Sequence, residues 1–296
     1  MSRPHSGHVA LLGRPNVGKS TLLNALIGEH LAIVTHKPQT TRHRIVGLFS
    51  DARGQAAFVD TPGMHKRRDH ALNRRLNRIA SDTLAGVDVL LVVVDANRLT
   101  EEDDLVLELA ARHEGPRILV FNKIDLLSER ARLLELTAEL TGRVEFSAVV
   151  YLSALKQEGI DGLLDEVFGH LPEGEPLYPV DQFTDRSERF LAAEMVREQL
   201  MLQLHQEIPY GLTVTVESFE RQARRIEIHA LIVVAEDRHK GMVIGKQGQV
   251  LKRVGSRARK AIAELLGMPV HLELHVKTRT GWIDDESLLD ELGYER

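Results

Sequence analysis

The 296-residue sequence has no cysteine, and only 4% of its residues are aromatic. Without thiols there is no disulfide framework and no thiolate zinc site, which fits a reducing cytosol. The scarcity of aromatics leaves few platforms on which bases could stack. Long apolar runs are missing too. The most apolar stretch, Val87–Val94, is about half the length that crosses a bilayer and ends in Asp95. The N-terminal MSRPHSGHVALLG lacks the apolar core of a signal peptide, so a soluble, cytoplasmic chain is expected.

The net charge of −5 argues against a generally basic nucleic-acid binder. Its distribution points elsewhere. From Arg238 to Ala263 there are eight Lys or Arg and no Asp or Glu, a local basic footprint inside an acidic protein.

The length suits two domains, each able to bury its own core. Residues 1–172 alternate apolar runs with amphipathic stretches, the pattern of an α/β domain with a mainly parallel sheet. Strands are expected at His8–Leu12, Arg44–Phe49, Gln55–Asp60, Val87–Asp95, Arg117–Asn122 and Val149–Leu152, the second and third forming an antiparallel edge hairpin. Residues 173–187, with Pro176 and Pro179, read as a linker. Residues 188–296 read as an α+β domain: a long helix, two strands, a basic amphipathic helix after Gly248, a strand at His271–Val276 and a helical acidic tail.

Gly13-Arg14-Pro15-Asn16-Val17-Gly18-Lys19-Ser20, followed by Thr21, is a complete G-x-x-x-x-G-K-S between a strand and a helix. The glycines let backbone N–H groups face phosphate oxygens, Lys19 adds a cation, and Ser20 offers a hydroxyl to Mg²⁺. Asp60-Thr61-Pro62-Gly63 closes a strand, where Asp60 suits a Mg²⁺-bound water and the Gly63 N–H the γ-phosphate. In Asn122-Lys123-Ile124-Asp125 the aspartate selects guanine, because its two oxygens accept from N1–H and the 2-amino group together. Ser153-Ala154 can offer a backbone N–H to guanine O6. These four motifs fall in order on strand ends, where open α/β sheets bind ligands. Between the first two, Thr41 or its neighbour Thr40 is placed to reach Mg²⁺ in a nucleotide-dependent switch. The second switch is expected in the basic stretch from Met64 to Arg78.

Gly245-Lys246-Gln247-Gly248 opens the basic helix and resembles the G-x-x-G loop of a type II KH domain, which clamps a single-stranded RNA backbone. Lys240, Ile244, Lys252 and Arg253 complete the expected RNA contacts, with Ile244 as an apolar floor for bases. His271 and His275 share a strand face. With no cysteine or nearby acidic cluster they read as packed or solvated rather than metal ligands. His36, His43, His65 and His70 read as exposed.

Through GRPNVGKS, PQTTRHRIVG, DTPG, NKID, SA and the KH loop, the chain resembles an Era-type GTPase over about residues 8 to 295. That resemblance implies binding of GTP and GDP with Mg²⁺, hydrolysis involving Lys19, Thr41 and Gly63, and action as a monomer. It implies contact with 16S ribosomal RNA near its 3′ end during 30S subunit assembly. It also implies a slow intrinsic rate, because Met64 stands where Ras-like enzymes carry the water-orienting glutamine. Asn16 resembles the asparagine that recruits K⁺ in related GTPases. Two readings stay open, an enzyme switch and an RNA-binding assembly factor with a mainly structural nucleotide site, as does peripheral membrane contact.

Overall fold

The computed structural model of the chain describes residues 3–37, 40–62, 70–84, 86–204 and 208–294. They fall into two compact units. The first takes most of the chain up to Asp185; the second takes Arg186 onward with short stretches around residues 33–40 and 70–75.

In chain order the N-terminal elements are β1 (His5–Leu12), α1 (Lys19–Ile27), β2 (Ile45–Asp51), β3 (Gly54–Asp60), α2 (Ala71–Leu84), β4 (Val89–Asp95), α3 (Glu101–Ala110), β5 (Arg117–Asn122), α4 (Arg132–Thr141), β6 (Ala148–Tyr151) and α5 (Ile160–His170). Among the described residues the strands form one six-stranded sheet, ordered β2-β3-β1-β4-β5-β6. Every neighbouring pair is parallel except β2 and β3, which run antiparallel from Ile45↔Asp60 to Asp51↔Gly54. A two-residue connection allows only that geometry; the parallel pairs need helical crossovers. β4 is buried along its whole length, as a central strand covered on both faces must be. Helix α3 starts at Glu101, two residues before the Asp103 that its apolar spacing suggests, because Thr100 and Asp103 form a capping box.

The proline-rich segment after α5 is tied to the first unit. Leu48 N donates to Phe183 O at 2.9 Å, Thr184 Oγ1 donates to Val46 O at 2.6 Å, and the Gln55 amide exchanges two hydrogen bonds with the Tyr178 backbone. Prolines cannot sustain a continuous ladder, so this stretch makes single bridges along the sheet edge.

The second unit contains α6 (Glu188–Gln203), β7 (Leu212–Arg221), β8 (Ile226–Val234), α7 (Asp237–Ile244), α8 (Gln249–Leu266), β9 (Val270–Thr278) and α9 (Glu286–Glu291). Its sheet has the order β7-β8-β9, antiparallel then parallel. Val196 and Leu200 of α6, Ile228 and Ile232 of β8, and Val254 and Ile262 of α8 share one core. Along β9 the pattern alternates, leaving His271, Glu273, His275 and Lys277 exposed. Trp282, the single tryptophan, is fully buried, stacks on Tyr294 and donates from Nε1 to Gly211 O at 3.3 Å.

Two readings are corrected. Helix α7 was not expected, because an eight-residue segment interrupted by Gly241 carries too little periodicity to announce itself. His43 is buried, not exposed, whereas His36 and His70 are exposed; His65 lies outside the described residues. Ile244, expected as an apolar floor for bases, ends α7 half-buried. Among the described residues no helix is long and apolar enough to cross a membrane.

Candidate functional site

The turn after β1 leads into α1 through Gly18 at φ 99°, a left-handed conformation that favours glycine. A Cβ there would also lie 2.4 Å from Asn122 Nδ2. Two constraints on one position explain why the motif ends in glycine before its lysine. Gly13 is equally confined, since a Cβ would meet Val93 O at 2.5 Å.

Lys19 is buried, and its Nζ donates to Gly13 O at 2.7 Å and Arg14 O at 3.1 Å, spanning the loop. Burial lowers its pKa to about 8, with the Asp60 charge pulling in the opposite direction. Burial likewise pushes the Asp60 carboxyl up, against the pull of Lys19, Ser20 and Thr41. The two groups stabilise one another in a pocket that penalises each charge separately.

Ser20 Oγ donates to Asp60 Oδ2 at 2.8 Å, Thr41 Oγ1 lies 3.2 Å from the same oxygen, and the two hydroxyls are 2.9 Å apart. Asp60 Oδ1 is buried with no hydrogen-bond partner among the described residues. Two hydroxyls and an underused carboxylate form a hard oxygen set that fits Mg²⁺. Thr40 is turned elsewhere: its Oγ1 donates to Lys37 O at 2.6 Å and contacts Thr35 Oγ1. Thr61 is buried and donates to Leu11 O at 3.2 Å, fastening the end of β3 to β1. Pro62 follows, buried; Gly63 and the first part of the expected second switch, residues 64–69, lie outside the described residues, and the rest of it, to Arg78, enters α2.

The base side is assembled by Asn122, whose Nδ2 donates to Val17 O at 2.8 Å while its Oδ1 accepts from the Lys123 and Ala154 amides. The Ala154 N–H is thus engaged within the protein. Lys123, at φ 66°, donates from Nζ to Asn16 O at 2.5 Å and Asp95 Oδ2 at 2.7 Å. Asp95, at the end of β4, is a site residue that sequence reading missed, although its place after the apolar run VLLVVV puts it on the same sheet edge as the motifs. Asp125 is exposed and accepts from Ser153 Oγ at 2.6 Å, which orients its carboxylate. Arg14 points away, bonded to Asp103 Oδ2 at 2.9 Å and Arg98 O at 2.8 Å, so the loop uses its backbone. Asn16 is exposed at φ 64°, with Pro15 and Thr21 half-buried beside it.

In the second unit, the G-x-x-G turn joins α7 to α8. Gly245 (φ 74°), Gln247 (φ 51°) and Gly248 (φ 73°) take left-handed dihedrals, which bring the main chain to the surface. Lys240, Lys246, Lys252 and Arg253 are exposed around it. An open groove of about 410 Å³ runs from Gly248 along Leu251, Lys252, Gly255 and Arg259 of α8 to Leu272 and Leu274 of β9. Its floor is aliphatic, suited to sugar and base edges, and its rim is cationic. Ser256, Leu272 and Leu274 were not singled out from sequence, whereas Arg259 belongs to the basic footprint between Arg238 and Ala263. The alternation of β9 against the helical spacing of α8 was the available signal.

A strand-end nucleotide site with a carboxylate placed for guanine, followed by a helix–G-x-x-G–helix unit, defines a P-loop GTPase carrying a KH domain. Two family models agree: a 50S ribosome-binding GTPase model matches residues 8–123 and a KH-domain model residues 207–283. The chain is 49% identical over 288 residues to GTPase Era of Pseudomonas entomophila (strain L48), covering 97% of this chain and 96% of that relative. It is 48% identical over 288 residues to GTPase Era of Azotobacter vinelandii (strain DJ / ATCC BAA-1303), with coverage of 97% and 96%. A point variant of Aquifex aeolicus Era bound to GDP·AlF4⁻ superposes with a TM-score of 0.95 at 36% identity, over 99% of this chain and 100% of that one. The same values hold for Era in complex with MgGDPNP and nucleotides 1506–1542 of 16S ribosomal RNA. The chain belongs to the GTPase Era family.

Proposed function

We propose that this chain is a GTP-binding and GTP-hydrolysing switch whose KH unit binds 16S ribosomal RNA near its 3′ end and assists assembly of the 30S subunit. The observation that carries the reading is the convergence of Ser20, Thr41 and Asp60 on one point beside Lys19. Mg²⁺, when bound, supplies charge neutralisation at the β- and γ-phosphate oxygens. Ser20, Thr41 and Asp60 are its holders, Lys19 and the Gly13–Gly18 backbone grip phosphate, and Asp125 reads guanine with Ser153 as its orienting donor. The G-x-x-G turn and aliphatic groove support RNA as the second ligand, as does the related Era chain crystallised with 16S rRNA nucleotides. Asn16 would hold K⁺, which would supply the positive charge of an arginine finger at the phosphates, and the protein works as a cytoplasmic monomer.

The deciding experiment measures GTP hydrolysis with and without an RNA oligonucleotide carrying the 3′-terminal small-subunit sequence, alongside Lys19→Ala. Stimulation in the wild type and its loss in a variant that still binds RNA is the expected result. Identical rates with and without RNA would refute the switch and leave a nucleotide site serving stability. Equal rates in K⁺ and Na⁺ buffers would remove the role given to Asn16.

A further inference from the structure

The solvent-facing side of the KH sheet carries an arrangement that neither GTP hydrolysis nor RNA binding uses. β8 and β9 run parallel in a register that sets His229 opposite Glu273 and Leu231 opposite His275. His229 Nδ1 lies 3.3 Å from Glu273 Oε2. A ligand atom from each of His229, Glu273 and His275 falls within 4.8 Å of the other two. The other carboxylate oxygen of Glu273, Oε1, is held by His271 Nε2 at 3.2 Å.

We propose that His229, Glu273 and His275 form a transition-metal site, with Zn²⁺ the ion it suits best, and that His271 positions the carboxylate. Two imidazole nitrogens and one carboxylate oxygen are the donor set of three-ligand zinc sites, which leave a fourth position for water or an incoming ligand. At metal–ligand bonds of about 2.0–2.1 Å, neighbouring tetrahedral ligands sit roughly 3.3 Å apart. The His229–Glu273 pair is at that separation. His275 is exposed at the strand surface, and a rotation of its side chain closes the remaining edge at little cost. A carboxylate with one oxygen on the metal and the other hydrogen-bonded to a neighbouring side chain is a common supporting arrangement around metal ligands.

Sequence spacing alone suggested His271 and His275 as the pair to weigh. Strand pairing replaces His271 with His229, a residue 44 positions before Glu273 and on another strand. Because the donors come from two strands, a bound ion cross-links β8 to β9. Alternation along β9 places Leu272 and Leu274, which line the RNA groove, on the opposite face, so the metal and the RNA do not compete.

The test is a Zn²⁺ titration of the full chain by calorimetry, in excess Mg²⁺ and GDP so that the phosphate site is filled. Co²⁺ absorption serves as a second readout of tetrahedral geometry. One equivalent of tight Zn²⁺ binding is expected in the wild type. His229→Gln and His275→Gln should abolish it, His271→Gln should weaken it by about tenfold, and His170→Gln on α5 should leave it unchanged. All these positions except His170 lie on an exposed sheet face, and GDP binding and circular dichroism report whether each variant is folded. Absence of stoichiometric binding in the wild type overturns the proposal. So does Zn²⁺ affinity in folded His229→Gln and His275→Gln equal to that of the wild type.

Discussion

Ser20 Oγ and Asp60 Oδ2 lie 2.8 Å apart although 40 positions separate them in the chain, and Thr41 Oγ1 touches both. Thr40, one residue away, bonds to Lys37 O instead. Thr41→Ala is therefore expected to reduce Mg²⁺-dependent GTP hydrolysis at least about tenfold, equivalent to roughly 1.4 kcal/mol, while Thr40→Ala reduces it far less. Single-turnover rates on the two variants decide between them, and a greater loss in Thr40→Ala would refute the assignment.

Asp125 faces solvent with Ser153 Oγ on one of its oxygens. Asp125→Asn replaces an acceptor pair with one acceptor and one donor, which matches the 2-oxo group of xanthine. The variant should lose GTP affinity by several orders of magnitude and gain XTP affinity. Competition between the two nucleotides measures this, and unchanged preference would exclude Asp125 from base recognition.

Lys19 has a pKa lowered to about 8, chiefly by desolvation. A phosphate beside it favours the ammonium form, so nucleotide binding above pH 8 takes up a proton and affinity falls as pH rises through that value. For the nucleotide-free protein the sign reverses. Between about pH 8 and 10.5 the unfolded chain holds a proton that the folded chain has released, so Lys19 contributes stability that grows with pH across this window. Calorimetry of GDP binding at pH 8.5 in buffers of different ionisation enthalpy should reveal the uptake. No buffer dependence would mean that Lys19 is already fully charged.

Arg197 is 2% exposed and makes two hydrogen bonds to Glu194, with a third to Thr40 O at 2.6 Å. Glu194→Ala removes the carboxylate hydrogen-bonded to this buried cation, leaves Glu198 as the nearby anion, and should cost up to about 3–5 kcal/mol of folding stability. Urea unfolding of the second unit measures it. Glu194→Leu combined with Arg197→Met should lose less than Glu194→Ala alone, because the buried cation is removed together with its hydrogen-bonded partner.

Gly248 and Gly245 differ as test positions. A Cβ on Gly245 would lie 2.4 Å from Val250 Cγ2, whereas one on Gly248 meets nothing within 4 Å. Gly248→Asp therefore folds with only the left-handed strain of about 1–2 kcal/mol. It should abolish RNA binding, by placing a carboxylate where phosphates approach, and spare GDP binding. Retained RNA affinity in a filter-binding assay would show that the turn does not clamp the backbone.

Most of the nucleotide site was legible in the sequence because phosphate and guanine recognition use local devices. Glycines at Gly13 and Gly18, a lysine at 19 and an aspartate at 125 each act within a few residues of a strand end. The hairpin β2–β3 was equally legible, since the five residues between the two strands expected from sequence leave no room for a crossover. Asp95 and the groove residues Leu272 and Leu274 were not, because each gains its role from a neighbour distant in the chain. Helix α7 escaped notice for the opposite reason: it is too short to display a period.

The order and type of the elements, the guanine-specific motifs and the basic footprint were determined by the sequence, through periodicity, turn chemistry and charge, all of which act between near neighbours. Tertiary structure alone decided that Thr41 rather than Thr40 meets Ser20 and Asp60, that Lys19 is desolvated enough to lower its pKa, and that His229, from another strand, comes beside Glu273 and His275. Those outcomes depend on strand register, helix packing and burial, which bring together atoms that no spacing along the chain connects.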